Sequence, residues 1–272
     1  MRQWRLVYDT PMSGAYNMAA DDAILQSVSS GGALPTLRLY AWSLPCITLG
    51  YGQKSSDVDF ERLAASGWQL VRRQTGGSAV LHVDELTYTV ALPAGDDLAR
   101  LDIIESYRQI SRALVSGLLR LGLEAEATPN RSHQVPDGPV CFDSPSIYEI
   151  TAGGRKLVGS AQARRKAGIL QHGSLPLSGD LGQICDALAF ADEAARERAR
   201  TRVRTRAITL SEALGRDVEW REAADAITRG FAGTLDIQFI PAAYTDWEWE
   251  QTQHLAAQAY SNLDLRRRRV SG

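Results

Sequence analysis

Short runs of alternating apolar and polar residues, cut by glycine and proline turns, fill the first two thirds of the chain. They constrain the fold more than any other feature. A period of two sends successive side chains to opposite faces, which suits a strand with one buried side. Such runs fall at Trp4–Tyr8, Thr36–Trp42, Cys46–Tyr51, Gln69–Arg73, Ala79–His82, Glu85–Leu92, Leu123–Thr128, Ile147–Thr151 and Ala167–Pro176. Helical spacing appears between the groups. Ser13 is placed to cap a helix over Gly14–Ser29, with Asp21 and Asp22 on its polar side, and Asp57 to cap one over Val58–Ser66. Over Asp102–Leu121 the residues Ile103, Ile104, Tyr107, Ile110, Leu114, Leu118 and Leu121 share one side. Leu181–Ala189 reads as a short helix and Glu193–Arg206 as an exposed linker or helix. Helices at Thr209–Leu214 and Trp220–Gly230, a strand at Thr234–Pro241 and a helix at Tyr244–Tyr260 complete the chain. Consecutive strands with helices between groups predict an α+β fold, a mixed and largely antiparallel sheet with helices packed on it.

The 272 residues suffice for one large domain or a domain with an appendage. A net charge of −2 gives no whole-molecule attraction to nucleic acid. The basic run Arg266–Arg269 reads as a solvated tail. Three widely spaced cysteines without a CxxC pair argue against a disulfide framework and a structural zinc site, so no metal is expected. No apolar stretch is long enough for a signal peptide or a membrane span, so a reducing cytoplasm is the expected location and no membrane partner is expected.

Two stretches carry candidate chemistry. In Arg72-Arg73-Gln74-Thr75-Gly76-Gly77-Ser78-Ala79-Val80-Leu81-His82 a Gly-Gly turn lies between two strands. Without Cβ atoms the backbone can approach a ligand, its N–H groups can hold an anion or carbonyl oxygen, and the arginines can bind a phosphate or carboxylate. A surface hairpin with basic flanks fits the same residues. The second stretch begins at Cys141, after the Pro136–Pro139 turn, and passes through Gly153-Gly154 to Lys156. A hairpin there returns Lys156 near the start of its first strand. An ammonium beside the thiol would favour the nucleophilic thiolate. Cys141 reads equally as a buried inert thiol, and Lys156 as a solvated hairpin residue. Cys46 and Cys185 lie in apolar patterns and read as core. His82 and His172 each close a strand-like segment, as structural residues or as pocket lining.

RRQTGGSAVLH, CFDSPSIYE and GGRKLVGSAQARRKAGILQHGS, in that order, resemble the biotin/lipoate protein ligase and acyltransferase superfamily, closest to its LipM-type octanoyltransferase branch. The resemblance runs roughly from Tyr8 to Leu188. It implies a biotin/lipoyl protein ligase-like catalytic domain over residues 1–250, with 251–272 as a C-terminal helix or tail. It implies octanoyl transfer from octanoyl-acyl carrier protein to a lysine of a lipoyl-domain protein, the glycine cleavage H protein, through a Cys141 thioester, without a cofactor. Lys156 matches the lysine that activates the cysteine. Arg73, Gly76, Gly77, Ser78, His82, Gly159, Ser160, Ala161 and His172 are the implied substrate-binding residues. An ATP-dependent lipoate ligase, an amidotransferase between lipoyl domains, and a non-catalytic carrier-binding module using the basic runs Arg164–Lys166 and Arg266–Arg269 are the alternatives.

Overall fold

The computed structural model describes residues 1–129 and 148–260. The strands in chain order are β1 (Arg2–Tyr8), β2 (Thr36–Tyr40), β3 (Cys46–Leu49), β4 (Gln69–Arg72), β5 (Val80–His82), β6 (Glu85–Pro93), β7 (Glu126–Pro129), β8 (Tyr148–Ala152), β9 (Arg155–Arg165), β10 (Gly168–Pro176) and β11 (Ile237–Pro241). The helices are α1 (Gly14–Ser30), α2 (Phe60–Ala65), α3 (Asp97–Arg100), α4 (Ile103–Arg120), α5 (Glu193–Arg206), α6 (Leu210–Leu214), α7 (Trp220–Leu235) and α8 (Asp246–Leu255).

Among the described residues, eight strands form one sheet in the order β11-β1-β2-β6-β10-β9-β8-β7, and β4-β3-β5 form a second. In the large sheet β1 runs parallel to β11 and β2, and the other neighbours are antiparallel. This is the mixed, largely antiparallel α+β arrangement that the alternating runs predict.

One face of the large sheet carries the main core. Leu37, Leu39, Tyr88 and Val90 pack there with Leu114 and Leu118 of α4 and Ile227 and Phe231 of α7. The two helices touch through backbone. A Cβ on Gly230 would lie 2.4 Å from the Ala113 carbonyl oxygen, and one on Gly117 would lie 2.8 Å from Ile227 Cα. The opposite face meets α1, where Met18 and Ala19 join Tyr40 and Trp42 from the large-sheet side and Cys46 and Val71 from the small sheet. Cys185 is buried in the cluster beneath the small sheet.

Two local expectations are corrected. Asp21 and Asp22 do not lie on a solvated side of α1: both are buried, Asp21 completely. The helix sits between a sheet face and α8, so it has little outer side. The second correction concerns α2, which Asp59 caps, its side chain accepting from Arg62 N at 3.1 Å. Asp57 instead ends a 3-10 turn over Ser55–Asp57, and Val58 forms an extended bridge to Leu188, with Asp59 N on Ala187 O at 3.0 Å and Ala189 N on Asp57 O at 2.9 Å. Glu193–Arg206, left between linker and helix by its charge pattern, is a helix that buries Arg196.

The C-terminal helix is tied to the first strand. Arg5 donates from both terminal nitrogens to Glu248, at 2.6 Å each, with Glu248 fully buried. Farther on, the Tyr260 hydroxyl donates to Asp22 at 3.1 Å. Removing one partner of a buried, doubly bonded pair leaves the other charge without compensation, which costs about 3–5 kcal/mol. Glu248→Ala is therefore expected to lower the unfolding free energy in guanidinium titrations by about 3 kcal/mol or more. A change under about 1 kcal/mol, the range of exposed pairs, would contradict the role given to this contact.

Candidate active site

The hairpin of β8 and β9 turns at Gly153 and Gly154, both at positive φ (56° and 75°), the backbone that two-residue hairpin loops prefer. Its register shifts by one residue: Ile150 pairs with Val158, whereas Thr151 pairs with Lys156. Leu157 is the extra residue, and both Leu157 and Val158 belong to the main core. A bulge of this kind breaks strict alternation and re-aims the next side chain. Lys156 accordingly shares a face with Thr151 and Glu149, and its ammonium lies 3.2 Å from Glu149 Oε1 with only 4% of the side chain exposed. The expected hairpin forms, but Lys156 pairs with Thr151 near the end of β8 and not with its start; only its ammonium reaches back, to Glu149. Cys141 lies outside the described residues.

The glycine loop Thr75–Ser78 joins β4 to β5. Gly77 has a φ of 91°, and a Cβ there would meet Arg73 Nη2 at 2.9 Å. Gly50, just after β3, supports the loop from below: its Cβ would lie 1.8 Å from the Gly77 carbonyl oxygen. Among the described residues, nothing stands within 4 Å of a Cβ placed on Gly76. The arginines do not point there. Arg73 is buried and donates to Gly76 O (2.7 Å), Ser78 O (2.8 Å) and Thr48 O (3.0 Å), so it clamps the loop from inside. Arg72 donates to Gly50 O and Gln53 O, both at 2.7 Å. The arginine pair thus supports main chain, where the sequence suggested a phosphate or carboxylate.

Both histidines are buried, and each has both ring nitrogens engaged. His82 Nδ1 meets Glu85 Oε1 at 2.8 Å, and Nε2 meets Thr48 Oγ1 at 2.9 Å. Trp42 stacks on the His82 ring at 4.0 Å and donates from its indole to Glu85 and Thr87. His172 Nδ1 meets Asp21 Oδ2 at 3.1 Å, and Nε2 meets Thr75 Oγ1 at 2.6 Å. Asp21 in turn accepts from Arg38 (2.8 Å), Thr89 (2.9 Å) and Tyr40 (3.2 Å). Burial pushes the His172 pKa down, against the pull of the Asp21 carboxylate, and nearby Arg73 and His82 lower it further. For Asp21 burial works upward, but the bond from His172 and the charge of Arg38 outweigh it and hold the carboxyl below its ordinary value.

Register decides which of the other expected site residues face this network. Ala161 lies opposite His172, and Gly159 opposite Ser174, on the face toward α1. Ser160 lies opposite Gly173 on the other face, where its hydroxyl bonds to Tyr88 at 2.7 Å. A Cβ on Gly173 would meet the Tyr88 ring at 2.5 Å, so that glycine makes room for the tyrosine. The strands therefore do not bring the Ser160 side chain together with His172. Arg164 and Arg165, two of the three residues in the candidate basic run, bond to Ser106 (2.7 Å) and Asp22 (3.3 Å) respectively.

The residues missed in the sequence are Asp21, Glu85, Thr48 and Thr75. A signal for Asp21 was available: Met18-Ala-Ala-Asp-Asp-Ala-Ile-Leu25 is apolar on nearly every side. Such a helix is buried, and an acid within it then requires a partner.

Residues 13–232 match the family described as lipoyl protein ligase A/B catalytic domain. Octanoyltransferase LipM of Moorella thermoacetica is 42% identical over 270 residues, covering 98% of either chain. That of Brevibacillus brevis is 37% identical over 276 residues, covering 99% of this chain and 100% of the relative. Among solved structures, a bi-partite lipoate protein ligase from Thermoplasma acidophilum superposes with a TM-score of 0.83 at 27% identity, covering 99% of this chain and 98% of its own. A lipoate-protein ligase A bound with ATP gives a TM-score of 0.78 at 29% identity, covering 96% and 97%.

The lowered His172 pKa sets a sign for stability against pH. Above about 6.5, its ordinary value, the ring is neutral whether folded or not. As pH falls below that value the unfolded chain takes up a proton that the folded protein resists, so stability is lost toward the lowered folded value. Unfolding free energy is expected to decline between pH 7.5 and 5.5, by at most about 1.4 kcal/mol per pH unit from this group. The decline should be shallower in His172→Gln. Equal slopes in the two proteins would contradict the assignment.

Proposed function

The chain belongs to the lipoyl protein ligase A/B catalytic-domain family, and from that premise we propose that it is an octanoyltransferase that carries the acyl group on Cys141. The donor is octanoyl-acyl carrier protein and the acceptor a lysine of a lipoyl domain, the glycine cleavage H protein. What supports an acyltransferase is the run of relatives bearing the octanoyltransferase name along nearly the whole chain. The observation that carries the mechanism is the Lys156 ammonium, buried by a bulge on the strand that pairs with β8, eight residues beyond Cys141 in sequence at Glu149.

The chemistry needs a thiolate and a place for negative charge on oxygen. The Cys141 thiolate attacks the donor carbonyl; the carbon–sulfur bond to the carrier breaks, and the departing carrier thiolate takes a proton from solvent. The acceptor amine then attacks the enzyme thioester. Its carbon–sulfur bond breaks, the Cys141 thiolate is restored, and the nitrogen loses its proton as the amide forms. One exchange of thioesters is close to neutral in energy and the amide step runs downhill, so ATP has no role. An ammonium about 4 Å from a thiolate is worth about 4 kcal/mol at an effective dielectric near 20, part of it offset by Glu149. Burying an octanoyl chain contributes about 5 kcal/mol at about 0.8 kcal/mol per methylene.

A second reading has its own support. The solved relatives are lipoate ligases, one of them bound with ATP, and the glycine loop that clasps an acyl carbonyl suits an acyl-adenylate as well. The two part on cysteine and on nucleotide. In the octanoyltransferase reading Cys141→Ala abolishes transfer from octanoyl-acyl carrier protein, and Lys156→Ala lowers kcat/KM by about 10²-fold or more. Alkylation of Cys141 by iodoacetamide near pH 7 should also slow in Lys156→Ala, because less of the thiol is ionised. Full activity of Cys141→Ala, together with pyrophosphate release from free acid and ATP, would replace this reading with the ligase.

A further inference from the structure

Two chains of hydrogen bonds reach the glycine loop, one through β10 of the large sheet and one through β5 and β3 of the small sheet, and each has the same composition: carboxylate, imidazole, threonine hydroxyl. From the large sheet, Asp21 bonds to His172 and His172 to Thr75, the first residue of the loop. Through the small sheet, Glu85 at the start of β6 bonds to His82 of β5, and His82 to Thr48 of β3. Thr48 also accepts from Arg73 at 3.1 Å, and Arg73 holds the carbonyls of Gly76 and Ser78. One chain therefore fixes the loop's entry directly, and the other fixes its body through the arginine.

Counting protons assigns the roles within each chain. An ionised carboxylate only accepts, so Nδ1 of each ring carries the proton. A neutral ring with its proton on Nδ1 presents Nε2 as an acceptor, so the Thr48 hydroxyl donates to His82 while its oxygen accepts from Arg73. By the same rule the Thr75 hydroxyl donates to Nε2 of His172. Neither ring then offers a nitrogen to substrate, and Trp42 covers a face of His82.

We propose that Asp21–His172–Thr75 and Glu85–His82–Thr48 are positioning relays that hold the Thr75–Ser78 loop in the shape that receives the acyl carbonyl, with Asp21 and Glu85 selecting the imidazole tautomer in each. What the loop receives rests on the octanoyltransferase reading; how it is held does not. Positioning of this kind acts on rate, since a displacement of about 1 Å at a reacting centre costs about 10²-fold.

The test has two arms. Nitrogen-15 NMR of the full chain at neutral pH reads the tautomers without turnover, the four histidines being sorted by the signals lost in His172→Gln and His82→Gln. Both rings should show a protonated Nδ1 and an unprotonated Nε2, and Asp21→Asn should redistribute the proton in His172 alone. A dominant Nε2–H form of either ring in the wild type would overturn the proposal. The kinetic arm uses octanoyl-acyl carrier protein. Thr75→Val, which removes the hydroxyl at constant shape, should lower kcat/KM about tenfold or more with little change in thermal midpoint, and Thr75→Ser should recover it to within about threefold. The Thr75→Val/His172→Gln double variant should be no worse than the worse single, because both act through one relay. Additive losses, or equal losses in Thr75→Val and Thr75→Ser, would also overturn it. If the wild type fails to transfer octanoate, the functional reading falls while the NMR arm still decides the relays. Octanoyl transfer with the wrong tautomers removes the relays alone.

Discussion

Arg38 is fully buried, and the site depends on the way its charge is met. The guanidinium lies between two carboxylates, 2.8 Å from Asp21 and 2.8 Å from Asp9, with Asn17 Oδ1 at 2.7 Å and the Tyr40 ring 3.7 Å away. A buried charge without partners would be prohibitive; one with its donors used in good geometry fixes the elements that supply them. Asp9 follows β1, Asp21 and Asn17 belong to α1, and Arg38 belongs to β2. The contact locks helix to sheet at the point where Asp21 reaches on to His172. The glycine loop is thus referenced, through bonds of defined length, to the centre of the large sheet.

The same logic separates the two faces of that sheet. Toward α4 and α7 it is mainly apolar, its polar groups confined to a bonded cluster of Tyr88, Ser160, Gln162 and Gln171, and Gly117 and Gly230 let those helices close on each other. Toward α1 it carries Arg38, Thr87, Thr89, His172 and Ser174, all buried. Polar groups in such surroundings are costly unless satisfied, and satisfied they allow one arrangement and not several. A rigid polar seam beside an open glycine loop suits a reaction whose charge appears briefly on a carbonyl oxygen, because donors already in place need no reorganisation.

How much of this was legible in the sequence follows from how local each determinant is. Ser13 caps α1 through a bond to the backbone three residues on, and the Gly153-Gly154 turn needs only its own positive φ values. Both were readable. So were the strand runs, and with them the α+β class. The family motifs carried the identity of the chain. The inward turn of Arg73, the burial of Asp21 and the face given to Lys156 depend on what packs nearby. No window of sequence contains Thr48 and His82, or Asp21 and His172, together. The bulge at Leu157 reverses the side on which simple alternation would set Lys156. Ser160 shows the converse: it stands inside a family motif, yet the pleat turns its hydroxyl to Tyr88 and away from the seam.

In the proposed mechanism a buried ammonium, a braced glycine loop and one sulfur form a path for an acyl group that needs no nucleotide. Its most direct test is the intact mass of the wild-type chain after brief mixing with octanoyl-acyl carrier protein, with ATP omitted and no acceptor present. The account predicts a single octanoyl adduct that maps to Cys141, disappears with hydroxylamine, and is discharged to a lipoyl domain added afterwards. A chain that stays unmodified under these conditions, yet transfers octanoate once ATP is supplied, would contradict it.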